Sequence, residues 1–173
     1  TKAKYHFVVA VDEGTRFRMA RLTTMSSGNT TNWKMIQRAL EEGWFATFGA
    51  PRVLRTDAAG PCNSDEADQY FSERGIEFVT IPAEAHWQIG IVEGSIKSLK
   101  GMLERLVQEF PDKDIHELLA RAVWVCNSEE RYQGFSPMQQ VLGRGPDEHG
   151  HMFEDDRVRP VGPELLDDGG FQE

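Results

Sequence analysis

Residues 52–81, RVLRTDAAGPCNSDEADQYFSERGIEFVTI, decide the fold class. Arg52–Thr56 is a short apolar run that ends at Asp57, and Ile76–Ile81 is a second run rich in β-formers. Between them, Ser64 offers the hydroxyl of a helix N-cap. Asp65 and Glu66 place carboxylates in the first turn, where the helix dipole favours them, and Gly75 supplies a stop. The stretch reads strand, helix, strand.

The same reading extends outward in both directions. Residues 31–48 carry Ile36, Leu40, Trp44 and Phe48 four apart and then Gly49-Ala50-Pro51, an amphipathic helix with a glycine stop. Before it, residues 5–11 (YHFVVAV) and 16–23 (RFRMARLT) read as two strands of a hairpin joined through Asp-Glu-Gly-Thr. On the other side lies a loop, residues 82–90. A long helix over about 91–110 follows, with Val92, Ile96, Leu99, Leu103, Leu106 and Phe110 in one apolar stripe. A second amphipathic helix turns Ile115, Leu118, Leu119, Ala122 and Val123 inward. An opening hairpin followed by alternating strands and helices predicts a mixed α/β sheet flanked by helices.

The 173 residues suit one domain, residues 1–145, with an appendage, residues 146–173. The net charge of −9 is unevenly spread. Residues 1–145 hold 17 Lys+Arg against 19 Asp+Glu, a net of −2, whereas residues 146–173 hold 2 against 9, a net of −7. A near-neutral body permits nucleic-acid binding through a local patch but does not argue for it. The acidic, Pro- and Gly-rich end reads as a disordered tail or linker. No apolar run is long enough to span a membrane, and the opening residues are not a signal peptide. Cys62 and Cys126 form no paired metal motif and are too few for a disulfide framework, so the expected compartment is intracellular and reducing. Thr1 is not an initiator methionine, and the chain is expected to be a piece of something longer.

Asp57 and Glu93 are the residues to weigh for chemistry. Asp57 follows an apolar strand, the end at which α/β folds gather ligand-binding groups. Glu93 stands near the start of the long helix. Two carboxylates brought together can hold Mg²⁺, a hard cation suited to phosphate chemistry. Their separation of 35 residues means little alone, because Asp68–Glu104 and Asp112–Glu148 share it without the strand-end context. Lys97 and Lys100 lie four and seven residues beyond Glu93, on one helical face with it. That face can grip DNA phosphates after a metal ligand, or it can be an ordinary solvated Glu–Lys face. The loop before Glu93 holds His86 and Trp87, which read either as nucleic-acid contacts or as a surface histidine beside a core plug.

These segments resemble retroviral and retrotransposon integrase cores of the ribonuclease-H-like group. FVVAVDEGTRF (residues 7–17) is similar to the family's strand followed by Asp and a Thr/Ser-Arg/Lys pair. FGAPRVLRTDAAG (48–60) resembles the segment around its second catalytic Asp, HWQIGIVEGSIKSLK (86–100) that around its catalytic Glu, and NSEERYQGFSPMQQVLGR (127–144) the end of such cores. The resemblance implies DNA integration: Mg²⁺ or Mn²⁺ held by Asp57 and Glu93, and DNA contacts from Lys97, Lys100, His86 and Trp87. Implied partners are element ends, target DNA, further copies of the chain and other polyprotein domains, in the nucleus or a cytoplasmic particle. It also implies three antiparallel strands before the first helix, where only two are found. The first strand is therefore expected to be missing and the first catalytic Asp to lie upstream of Thr1. Asp12 is the second choice, since it sits in a hairpin turn where Asp commonly satisfies its own backbone.

Two departures stand out. Ala58-Ala59 replace the family's Asn-Gly, and Gly94 follows Glu93 where Arg is usual. They leave two alternatives open: a decayed core that only binds nucleic acid or protein, and a hydrolytic nuclease of the same fold.

Overall fold

The computed structural model describes residues 5–24, 31–57, 61–82, 90–146 and 151–154. The opening hairpin pairs β1 (His6–Val11) antiparallel with β2 (Arg18–Thr24), with a bulge between His6 and Phe7. Successive side chains alternate between the two faces of the ribbon. Phe7 and Val9 accordingly join Ala20 and Leu22 in one core, while Ala10 joins another.

α1 (Trp33–Leu40) starts at Asn32, whose side chain accepts the Met35 N–H at 3.0 Å. It runs into a π-helical turn, Glu41–Phe45, and a last turn, α2 (Ala46–Phe48). The single helix read over 31–48 is thus under-wound in its middle. Residues four apart drift by about 40° per step around an α-helix, and here Phe45 packs on the core with Ile36 and Leu40 while Phe48 is left exposed. Gly49, at φ 79°, ends it in a conformation that only glycine adopts freely.

Residues 52–81 form a strand–helix–strand unit. β3 (Val53–Asp57) lies parallel to β4 (Glu77–Ile81), in a register that sets Asp57 opposite Ile81. α3 (Asp65–Glu73) crosses between them, capped by Ser64, which accepts from the Ala67 N–H at 3.3 Å. α4 (Gly90–Glu109) and α5 (Ile115–Glu129) follow, then α6 (Pro137–Leu142). β5 (Arg144–Pro146) pairs antiparallel with β6 (Met152–Glu154), so the opening part of the span that composition marks as a tail takes up a short ladder.

Two cores hold these elements. Leu99, Leu103 and Leu106 of α4 pack with Leu118, Leu119 and Ala122 of α5 against the Phe7/Val9 face of the hairpin. Trp33 and Leu40 of α1 pack with Tyr70 and Phe71 of α3 and with Ile76, against Ala10, Leu54 and Phe78. Strands between two helical layers make the mixed α/β architecture that the sequence predicts. One feature differs: among the described residues the strands form three separate two-stranded sheets, and β1 is not hydrogen-bonded to β3.

Candidate functional site

Asp57 is the last residue of β3 and Glu93 lies in the first turn of α4, and both are exposed to solvent. Their chain neighbours Thr56 and Val92 line one cavity of about 370 Å³, together with Asp12, Glu13 and Cys62. The β3 end and the α4 start therefore open on the same space. Burial, and then the nearby Asp57 carboxylate, push the Cys62 thiol up to about 11.

Asp12 lines this cavity and is also engaged within its own turn. Its Oδ2 accepts the Thr15 N–H and the Thr15 hydroxyl, each at 2.8 Å, and its backbone carbonyl accepts the Arg16 N–H at 2.9 Å. These bonds tie the carboxylate into the β1–β2 turn. Lys97 and Lys100 are exposed and follow Glu93 along one face of α4, while Ser95, before Lys97, and Leu99, before Lys100, are buried. His86, Trp87 and Ala58-Ala59 fall outside the described residues. No group of three or more His, Cys, Asp and Glu side chains among the described residues could hold a metal ion. Asp57 and Glu93 do provide the hard oxygen donors that suit Mg²⁺, which commonly binds through one or two carboxylates plus substrate phosphates.

Sequence reasoning missed the arginines. A second cavity of about 270 Å³ is flanked by Arg16, Arg131, Tyr132 and Gly94, with the Arg16 guanidinium 4.5 Å above the Tyr132 ring. Behind it Arg18, only 1% exposed, forms an ion pair with Glu130 and donates to the Ser95 carbonyl at 3.1 Å. The Arg18 backbone N–H and carbonyl are both taken by the Asn127 side chain, at 3.0 and 2.8 Å. A charged residue midway in an apolar hairpin, matched by the acid pair Glu129-Glu130, was the available signal.

No family model and no curated protein matches the chain. Solved structures do. A chain of the simian T-cell lymphotropic virus intasome, in complex with the PP2A regulatory subunit B56 gamma, matches with a TM-score of 0.70 at 18% identity, over 91% of this chain. The present chain spans 54% of that one. The HTLV-2 integrase catalytic core domain, solved with magnesium in dimeric and trimeric forms, matches with a TM-score of 0.61 at 17% identity, over 80% of this chain and 90% of that one. No helix among the described residues is long and apolar enough to cross a membrane. With strands sandwiched by helices and the β3 end opening beside the start of α4, the chain has the fold of retroviral integrase catalytic cores.

Proposed function

We propose that the protein serves DNA integration, as a polynucleotidyl transferase that trims element ends and joins them to target DNA. The observation that supports this reading best is the integrase-core fold, on which Thr56 and Val92, the chain neighbours of Asp57 and Glu93, line one cavity. Asp57 and Glu93 would hold Mg²⁺ or Mn²⁺, with the remaining acid supplied upstream of Thr1. A divalent cation supplies Lewis-acid polarisation of a phosphoryl oxygen and a more acidic attacking hydroxyl. The hydrogen bonds from Thr15 to Asp12 favour a turn-forming role for that residue.

Lys97 and Lys100 would set the DNA backbone by its phosphates, leaving base identity unread. His86 and Trp87, in the loop leading to α4, would contact DNA near an unpaired end. The partners are element DNA, target DNA, further copies of the chain and other polyprotein domains, with residues 146–173 as an acidic spacer. The place of action is the nucleus or a cytoplasmic particle.

The test uses the complete protein. Asp57→Asn and Glu93→Gln are each expected to lower Mg²⁺-dependent strand transfer by at least about a hundredfold while leaving DNA affinity nearly unchanged. Strand transfer that survives both changes would sink the proposal. Affinity for DNA that neither Mg²⁺ nor Asp57→Asn alters, without any joining, would identify a binding module. Cutting without joining would identify a nuclease.

A further inference from the structure

We infer that the second cavity, between the β1–β2 turn, the start of α4 and the segment after α5, is a binding site for a phosphate group. Among the described residues Arg16, Arg18 and Arg131 line it against a single acid, Glu130. That acid is already engaged: its carboxylate forms the ion pair with buried Arg18 and accepts the Ser98 hydroxyl. Arg16 and Arg131 form no ion pair among the described residues. Two permanent cations on one cavity repel each other, and an anion between them removes that cost. Behind them the Nε of Arg18 is buried and also lacks a hydrogen-bond partner among the described residues.

The arrangement of donors selects the kind of anion. Arg16 stands at φ 66°, a left-handed conformation that costs a non-glycine residue, and the Asp12 carbonyl accepts its backbone N–H. From this turn its guanidinium lies over the Tyr132 ring, 4.5 Å from the centroid. A guanidinium stacked in this way keeps the N–H groups at its edge for an oxyanion. Arg131 is anchored through Nη1, which donates to the Ser128 carbonyl at 2.7 Å, so that Nε and Nη2 remain for a ligand.

α4 closes the third side. Gly90 and Gly94 line the cavity, and a Cβ on either would meet nothing within 4 Å. The start of this 20-residue helix thus offers backbone free of side chains, and the positive end of its dipole favours an anion. Donors from three directions suit a tetrahedral phosphate better than the flat carboxylate of an acidic side chain. Gly90 and Gly94, like Ile91 and Ser95, lie four apart on this side of the helix, away from the face of Glu93, Lys97 and Lys100. A phosphate held here is therefore additional to any that the two lysines contact, and the inference stands whether or not the protein joins DNA. A nucleic-acid backbone and free phosphate both present this chemistry.

Amide NMR of the 173-residue chain tests it, with inorganic phosphate as the probe and acetate at equal ionic strength as the control. Phosphate is expected to shift the Gly90, Gly94, Arg131 and Tyr132 amides saturably, and acetate to bind at least about tenfold more weakly. Arg16→Asn, which suits a left-handed backbone, combined with Arg131→Gln is expected to weaken phosphate at least about tenfold. Gly94→Asp, which puts a carboxylate into the open space, is expected to do the same, and Gly94→Ala to leave binding within about twofold. Unshifted amides of α5 in the same spectra show that each variant is folded. A short single-stranded oligonucleotide without terminal phosphates distinguishes the sources. Displacement of the bound phosphate supports the site with a nucleic-acid backbone as its ligand, and phosphate binding without displacement supports it with free phosphate. Three results would overturn the inference: no saturable shift with phosphate, acetate bound as tightly, or binding unchanged in Gly94→Asp.

Discussion

At the level of single residues, Cys62 reports on the candidate site without any substrate. With its pKa pushed from 9.0 to about 11, the folded thiol carries about a hundredfold less thiolate near pH 8 than an open cysteine. Native protein is therefore expected to react slowly with iodoacetamide at Cys62, and urea-unfolded protein quickly. Mass spectrometry of the alkylated peptide reads the difference, and equal rates would contradict the burial. The sign of the pH effect follows from the same shift. A pKa raised by folding gives stability that is complete below pH 9 and is lost as the pH climbs toward 11. Tyr70 extends the decline, because burial and its hydrogen bond to Glu41 lift the phenol to about 12. Asp57, Glu93, Lys97 and Lys100 were legible in the sequence as an acid at a strand end and one charged helix face. The arginines around Tyr132 were not, because segments more than 100 residues apart assemble them.

At the level of elements, the helix boundaries were mostly written in capping chemistry. Ser64 caps where the sequence places it, and Asn32, which the sequence reading left unassigned, caps α1. α6 carries the fullest cap: the Ser136 hydroxyl accepts the Gln139 N–H at 3.1 Å, and the Gln139 side chain accepts the Ser136 N–H at 2.8 Å. Ser136→Ala is expected to lower stability by about 1 kcal/mol in urea unfolding, and a change below a few tenths would show that packing alone holds α6. Three features escaped the pattern, α6 itself being one. The π-helical turn at Glu41–Phe45 falls inside the apolar repeat, so periodicity alone reports helix and not its winding. The β5–β6 ladder is three residues long on each side and rests on pairing, with no alternation long enough to see.

At the level of the molecule, strand–helix alternation gave the layered architecture, but the division of the described strands into three two-stranded sheets depends on edges that no local pattern encodes. The layers are joined at depth by Arg18. Removing its carboxylate partner leaves a buried guanidinium without its counter-charge, so Glu130→Ala is expected to cost about 2–4 kcal/mol, given that Glu130 is itself partly exposed. Arg38→Ala, which breaks the exposed pair with Glu42, is expected to cost under about 1 kcal/mol. Urea midpoints compare the two, and equal losses would remove Arg18 as the tie between layers. The same tie has a consequence for synthesis on the ribosome. Arg18 must wait for Asn127 and Glu130, 109 and 112 residues later, before its charge and backbone are satisfied. At ordinary elongation rates that interval lasts on the order of ten seconds. Throughout it the nascent hairpin holds Phe7, Val9, Ala20 and Leu22 without the α4–α5 helices that cover them, so its apolar face stays unprotected until those later helices are made.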